Sequence, residues 1–296
     1  MKRNDMARRD FLKVTAAAAV AAGVTRNSSS AAAEAGPKKA LQFGMLGMLP
    51  KGLSDADKFK LAKACGFEGI EMGVVADLEA AKKYAGAAKG AGITIHSVVY
   101  GGWDAPFSSG EPAVIDKGLK NFEAAMRGAK AMGADAILLV PAVVDDKMTY
   151  DAAYKRSQEH IRTVLPVARE LKLIIAVENV WNKFLLSPLE FARYVDEFDD
   201  PWLRAYFDIG NVVIFGYPEQ WIRILGKRIV KIHLKDFKRK GQEWTNLRDG
   251  DVNWPEVRKA LGEVGYTGYL TPELSGGDEA YLRDLSARID KILAGE

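Results

Sequence analysis

The sequence predicts a (β/α)₈ barrel, the α/β fold in which eight parallel strands alternate with helices in a single domain. Short apolar runs alternate with longer helical patterns from residue 41 to residue 293. Glycine, which often ends helices in a left-handed conformation, stands at four helix-to-strand joins: Gly66, Gly92, Gly133 and Gly265. A doubly wound open sheet is the alternative, but no G-x-G-x-x-G motif follows the first strand.

Each strand is predicted from an apolar run bounded by polar or glycine residues. The predicted strands are 41–49, 66–73, 93–101, 134–142, 172–179, 203–211, 228–236 and 265–274. The helical patterns between and after them are 54–65, 77–90, 114–132, 149–171, a segment after Pro188, 219–226, 254–263 and 278–293. Ser54 or Asp55 is expected to cap the first helix, because short polar side chains accept hydrogen bonds from free amide groups there.

Residues 1–35 have the layout of an export signal rather than of a folded segment. Arg8 and Arg9 precede the apolar run Val14 to Val24, and small residues follow as a cleavage site. That run is shorter than the roughly 20 residues needed to span a bilayer. The paired arginines resemble a twin-arginine signal, so we expect the Tat export machinery as a partner, a periplasmic location and a barrel over residues 36–296. A disordered alanine-rich tail is the alternative.

Net charge gives no support for nucleic-acid binding, and the cysteine content argues against disulfides and cysteine-rich metal sites. Residues 1–33 contain six basic and two acidic residues. Without them, the 42 basic and 39 acidic residues become 36 and 37, a net charge of −1. The chain's apparent basicity therefore belongs to the signal and gives no support for nucleic-acid binding. Cys65 is the only cysteine, so neither an intrachain disulfide nor a cysteine-rich metal site is expected.

Polar side chains gather where the later strands end, at the barrel face that carries function in this fold. In "IVKIHLKD", the alternate residues Lys231, His233 and Lys235 point to the same face of the strand. Three carboxylates with one imidazole suit a hard divalent ion. Mn²⁺ is the first expectation, and Mg²⁺, Co²⁺ or Zn²⁺ are alternatives. The predicted ligands are Glu178, Asp208, His233 and Glu273. Structural ion pairs of Glu178 and Glu273 with Lys231, Lys235 or Arg239 are the alternative reading.

The same residues carry a family resemblance. The chain resembles the sugar phosphate isomerase/epimerase family, the xylose isomerase-like barrels, and among them the ketose 3-epimerases. The resemblance covers roughly residues 41–293 and lies in "AVEN", "YFDIGN", "KIHLKDFKR" and "TPEL". It implies one divalent metal ion, Glu178 and Glu273 as an acid/base pair, and Arg239 as a substrate contact. Many members have histidine where this chain has Asn211, which can still hydrogen-bond a sugar hydroxyl.

The constellation predicts proton abstraction beside the carbonyl of a ketose, with an enediolate stabilised by the metal ion. We therefore expect an epimerase or isomerase of a small sugar, with a homo-oligomer left open. Further candidate substrate contacts are His96, Glu71, Trp103 and Trp181. The alternatives are a hydrogen-bonded histidine inside the barrel for His96, a position behind the metal ligands for Glu71, and packing roles for the two tryptophans. A lyase acting on 3-keto-glycosides and a non-catalytic sugar-binding protein are alternatives. An abasic-site nuclease is disfavoured, because its three-metal site needs more histidines than the three present.

If residues 1–35 are a twin-arginine signal, replacing both Arg8 and Arg9 by Lys should keep the protein in the cytoplasm. Cell fractionation with immunoblotting measures the outcome. The reading is refuted if the double variant reaches the periplasm as efficiently as the unchanged chain.

Overall fold

Residues 36–296 are described by this computed structural model, and their eight parallel strands close into a barrel. The predicted fold class is therefore confirmed. The predicted export signal lies outside the described residues. The strands follow one another around the barrel in chain order, and the last pairs with the first. They are β1 (Lys38–Gln42), β2 (Gly69–Gly73), β3 (Thr94–Gly101), β4 (Ala136–Leu139), β5 (Ile174–Glu178), β6 (Leu203–Asp208), β7 (Ile229–Leu234) and β10 (Tyr269–Pro272).

Eight helices connect or follow these strands. They are α1 (Asp55–Ala64), α2 (Leu78–Ala91), α3 (Pro112–Met132), α4 (Tyr150–Leu171), α5 (Pro188–Asp196), α6 (Pro218–Leu225), α7 (Trp254–Glu263) and α8 (Glu279–Ala294). Ser54 caps α1 by accepting a hydrogen bond from the amide of Asp57. Gly92 and Gly133 end α2 and α3 with φ of 66° and 90°, as predicted for left-handed glycine caps. Within residues 36–296, no helix is both long and apolar enough to cross a bilayer.

Two segments differ from the sequence prediction. The apolar run 41–49 is only partly strand: β1 ends at Gln42, and Phe43–Met48 forms a 3₁₀ helix that buries Met45 and Leu46. Apolar character alone does not separate a buried strand from a buried helical turn. After β7, a short antiparallel hairpin was not predicted; its strands are β8 (Asp236–Lys238) and β9 (Glu243–Thr245).

The apolar core has two parts, as expected for a barrel wrapped by helices. The larger part includes side chains from the strands and from the helices around them. A smaller cluster from β4, β5, β6 and the residue after β4 packs separately. It consists of Leu138, Val140, Ala176 and Tyr206. The hydroxyl of Tyr206 reaches Glu71 on β2, four strands away around the barrel, so this bond crosses the interior.

Gly128 of α3 should not tolerate a side chain, because a Cβ there would collide with the backbone carbonyl of Val75. We expect Gly128→Ala to lower the free energy of unfolding by about 2–3 kcal/mol through overpacking. Gly86→Ala in α2 is the matched control, since nothing lies within 4 Å of its Cβ position. Alanine loses less backbone conformational freedom on folding than glycine does, so that variant should be more stable by roughly 0.5–1 kcal/mol. Urea denaturation measures both, and equal effects would contradict the close packing.

Candidate active site

Four side chains that can bind a metal ion meet at the carboxyl ends of neighbouring barrel strands. Glu178 ends β5, and Asp208 ends β6. His233 is the last residue but one of β7, and Glu273 directly follows β10. One ligand atom from each lies within 4.8 Å of the others. The structure thus brings the four predicted ligands into one cluster at the barrel mouth.

The imidazole of His233 stands at the centre of this cluster. Its Nδ1 atom lies 2.8 Å from Glu178 Oε1, 3.2 Å from Glu273 Oε2 and 3.9 Å from Asp208 Oδ2. The ring is buried. Alternate residues of a strand face the same side, and Lys231 and Lys235 share its parity. The polar face of "IVKIHLKD" is therefore the face that lines the barrel.

The carboxylates of the cluster lack enough donors for their charge. Asp208 Oδ1 accepts a hydrogen bond of 2.8 Å from the amide of Asn211, whereas the buried Oδ2 has no hydrogen-bond partner. Burial raises the pKa of Asp208 and raises that of Glu178 to about 7. Oδ2 is thus paired by charge alone, because the ammonium group of Lys235 lies 3.1 Å away without making a hydrogen bond. Three carboxylates and one imidazole therefore fit a hard divalent ion, and the unbonded oxygen of Asp208 gives it a place to bind.

Lys235 supplies one positive charge to the cluster. Its Nζ lies 2.7 Å from Glu273 Oε2 and 3.1 Å from Asp208 Oδ2, although it makes no hydrogen bond to the latter. Lys231 instead pairs with Asp135 at 2.6 Å. Of the three cations considered for structural ion pairs, Lys235 is thus the one that reaches these carboxylates. A single ammonium group leaves three carboxylates incompletely balanced.

Glu71 holds His233 from the opposite side of its ring. Glu71 Oε2 lies 2.7 Å from His233 Nε2 and accepts a hydrogen bond of 3.0 Å from Gln42. Its Oε1 accepts hydrogen bonds from Ser97 (2.7 Å) and Tyr206 (2.6 Å). Burial works against ionisation, but His233 outweighs it and the pKa of Glu71 is lowered. The carboxylate thus fixes the imidazole with Nδ1 directed at the ligand cluster, as carboxylates behind metal-binding histidines do.

Of the two roles considered for Glu71 and His96, their positions support a place inside the barrel and not contact with the substrate. Glu71 is 1% exposed and lies below the mouth with all four donors coming from the protein. His96 is also 1% exposed, stacks on Tyr269 with ring centroids 4.3 Å apart, and places Nε2 3.2 Å from Thr271 Oγ1. Burial lowers the pKa of His96 and so favours the neutral form of the ring. Sequence reasoning located both on strands but not their depth in the barrel.

An open cleft of about 280 Å³ lies over the cluster, and Glu178 and Glu273 form part of its wall. Three of the predicted substrate contacts line it: Trp103, Trp181 and Asn211. The indoles of Trp103 and Trp181 are 54% and 49% exposed. Large exposed aromatic faces of this kind suit the apolar face of a sugar ring. We call this space the first cleft.

Asn211 is held in place by the ends of β5 and β6. Its amide group donates a 2.9 Å hydrogen bond to the carbonyl of Asn179. Asn179 in turn exchanges two 2.9 Å hydrogen bonds with the backbone of Asp208. The indole nitrogen of Trp181 donates to the Asn211 carbonyl. These bonds fix the rim of the first cleft beside the ligand cluster.

Arg239 does not line the first cleft. Its guanidinium donates hydrogen bonds of 2.8 and 3.0 Å to the carbonyls of Val213 and Gly216, and it lies over the ring of Tyr217. Arg239 therefore ties the loop after β6 to the hairpin after β7. The substrate contact implied by the family resemblance has no support from this position.

Sequence reasoning missed Trp244, which stands on the unpredicted hairpin. Its indole is 45% exposed, packs on Trp181 with centroids 5.0 Å apart, and lies 5.4 Å from Lys235 Nζ. Asp236 holds this loop by accepting hydrogen bonds from three backbone amides and from the indole nitrogen of Trp254. A buried aspartate directly after a strand was the available signal, but the sequence does not show which loop atoms it binds.

Comparisons with known proteins agree with this geometry. The family described as xylose isomerase-like TIM barrel matches residues 59–292. The SgbU protein of Escherichia coli strain K12, provisionally named an L-ribulose-5-phosphate 3-epimerase, is 28% identical over 244 residues, 76% of this chain and 85% of that protein.

Two solved structures share the fold. D-psicose 3-epimerase from Clostridium cellulolyticum H10 has a TM-score of 0.72 and 18% identity, and the match covers 86% of this chain and 99% of that chain. The apo form of 3-keto-D-glucoside 4-epimerase, YcjR, from E. coli has a TM-score of 0.70 and 17% identity, with the same coverage.

Replacing Glu71 by Gln should weaken both the fold and the site. The new amide would place N–H groups against existing donors, so we expect a loss of roughly 3 kcal/mol in unfolding free energy. Since His233 would lose its fixed orientation, affinity for a divalent ion should fall about 10- to 100-fold. Urea denaturation and Mn²⁺ titration measure the two effects.

Glu68→Gln is the matched control, because Glu68 is exposed just before the same strand. It should change neither quantity. If Glu71→Gln also behaves like the unchanged protein in both measurements, Glu71 does not position His233.

Proposed function

The chain belongs to the xylose isomerase-like TIM barrel family, and from that premise we propose that it is a metal-dependent sugar epimerase or isomerase. One observation carries the proposal. Glu178 and Glu273 approach the same imidazole nitrogen at 2.8 and 3.2 Å, and both line the first cleft. A sugar in that cleft would lie beside two carboxylates able to move a proton. The names of SgbU and of D-psicose 3-epimerase support a sugar with a ketone group.

The proposed cofactor is one divalent ion, with Mn²⁺ as the first choice. Glu178, Asp208, His233 and Glu273 would hold it, and the unbonded oxygen of Asp208 supports this assignment. When bound, such an ion stabilises negative charge that develops on neighbouring oxygens of the substrate. The protein's own part is to fix the ligands, and the hydrogen bond between Glu71 and His233 does this for the imidazole.

Proton transfer is proposed for Glu178 and Glu273. One carboxylate removes the proton from the carbon next to the ketone, which gives an enediolate. The other returns a proton to the opposite face of that carbon and so inverts it. β5 and β10 lie three strands apart around the barrel, so their terminal carboxylates can flank a ring between them. The direction of reaction decides which of the two acts as base.

Trp103, Trp181 and Asn211 are the proposed substrate-binding residues. The two indoles offer flat apolar faces, and the carboxamide of Asn211 offers an acceptor to a hydroxyl group. All three line the first cleft with the two glutamates. Together they would hold the ring and leave its reactive carbon towards Glu178 and Glu273.

We propose that the substrate carries no phosphate. A barrel often binds phosphate at free backbone amides near the last two strands. Here Gly276 packs against the backbone of Met45, and Asp278 occupies the N-terminus of α8 by accepting a hydrogen bond from the Tyr281 amide. Lys235 is already paired with carboxylates. Export, which stays a prediction, would also bring the enzyme to unphosphorylated sugars.

A lyase acting on 3-keto-glycosides is the second candidate. The same proton abstraction would be followed by loss of the substituent on the β carbon. The shared fold with 3-keto-D-glucoside 4-epimerase supports substrates of this kind. Product analysis separates the two, because epimerisation keeps the glycosidic bond and elimination breaks it. The two carboxylates beside the cleft argue against a protein that only binds sugars.

Deuterium exchange tests the proposed chemistry. Ketoses and keto-glycosides are incubated with the Mn²⁺-loaded protein in D₂O and followed by NMR. We expect deuterium at the carbon next to the ketone. Glu178→Gln and Glu273→Gln should each slow this exchange by at least ~10²-fold, the usual effect of removing a positioned acid or base.

Glu159→Gln on the exposed face of α4 is the control, and it should exchange at the wild-type rate. Circular dichroism checks that the variants keep their fold. Near-native exchange in either active-site variant, or full exchange after metal removal by a chelator, would show that the proposed mechanism is wrong.

A further inference from the structure

A second cleft adjoins the first at the barrel mouth. It has a volume of about 710 Å³, and Lys235, Trp244 and Glu273 form the wall that the two clefts share. Its remaining lining comes from the end of β1, from β9 and the residue after it, from the loop after β10 and from α8. These residues are Gln42, Thr245, Asn246, Leu274, Ser275, Gly276 and Tyr281. The reactive glutamate Glu273 therefore faces both spaces, and a ligand that fills the first cleft alone leaves the larger one empty.

The lining of the second cleft is polar but carries no free charge. Lys235 and Glu273 are its charged residues, and they pair with each other at 2.7 Å. The other polar groups are hydroxyls and carboxamides, which both donate and accept hydrogen bonds. A phosphate or carboxylate would find no unpaired cation here, whereas sugar hydroxyls would find several neutral partners.

Thr245 gives a specific sign of a missing partner. Its Oγ1 atom is buried, yet it makes no hydrogen bond. Buried polar groups are nearly always hydrogen-bonded, so each exception needs an explanation. Thr245 directly follows Trp244 on β9, and both line the second cleft. Because Oγ1 is buried, the Thr245 side chain would have to rotate towards the cleft for a hydroxyl-rich ligand beside Trp244 to become its partner.

We propose that the second cleft binds a second sugar ring, so that the substrate is a keto-glycoside and not a free ketose. This inference rests on the proposed function, because it assigns the ketone-bearing ring to the first cleft. The glycosidic bond would pass Trp244, whose exposed indole forms part of both clefts. Thr245, Ser275 and Tyr281 would hydrogen-bond the second ring.

Binding and exchange are measured on the same Mn²⁺-loaded protein with two probes. The first is glucose oxidised to a ketone at C3, and the second is cellobiose oxidised at C3 of its non-reducing ring. Calorimetry gives the Kd values, and NMR in D₂O gives the exchange rates. We expect the disaccharide to bind at least tenfold more tightly than the monosaccharide.

Thr245→Val removes the hydroxyl and keeps the shape of the side chain. It should reduce the preference for the disaccharide roughly three- to tenfold, the effect of one hydrogen bond. Thr267→Val is the control, because Thr267 is exposed and lines a different cleft, one that includes residues from the start of β7. It should leave the preference unchanged.

The two proposals fail in different ways. Equal affinity for both probes would overturn the second-ring site, even when deuterium exchange shows that the proposed chemistry is right. Tighter binding of the disaccharide without exchange would support the site and refute the chemistry. Tighter binding of the 6-phosphate ester of the monosaccharide probe than of the disaccharide would assign the cleft to phosphate and overturn the proposal.

Discussion

The buried carboxylate of Glu71 is the interaction on which the site depends. It collects donors from β3 and β6, from Gln42 on β1, and from His233 on β7. A carboxylate inside a barrel is expensive unless it is fully hydrogen-bonded, and this one is. The same bonds that satisfy its charge connect strands on opposite sides of the barrel and set the angle of the imidazole. Stability of the interior and geometry of the site therefore come from one network.

Above that network, the negative charge of the ligand cluster is only partly balanced by positive charge. Glu178, Asp208 and Glu273 converge near His233 with one ammonium group, that of Lys235, among them. Lys235 keeps the carboxylates together without matching their number. A divalent ion bound here would share the carboxylates with this ammonium group, so Lys235 would limit how tightly the ion is held.

The sequence predicted the alternating strands and helices. It did not predict features that depend on how deep a side chain lies in the barrel or on contacts between distant loops. Seven apolar runs identified barrel strands, the first run overlapped only the end of β1, and the polar parity of β7 pointed to His233. The ligand cluster followed because parallel strands end on one face of a barrel. The roles of Glu71 and His96 stayed open between substrate contact and a place in the interior, because a strand's sequence does not show how far below the mouth a residue lies. Trp244 was missed because its hairpin is stabilised by hydrogen bonds from distant loop residues to Asp236, which leave no periodic pattern.

Asp236 anchors the hairpin through bonds that do not depend on the hairpin's side chains. It binds the loop through the backbone amides of Phe237, Arg248 and Val252, and an amide donates in the same way whatever its side chain is. Exposed side chains between these points can therefore be exchanged without removing the bonds that anchor the hairpin, although Trp244 also contacts Trp181 and Lys235. The hairpin can therefore vary in sequence, and so change what the second cleft would bind, while backbone bonds to Asp236 keep it in position.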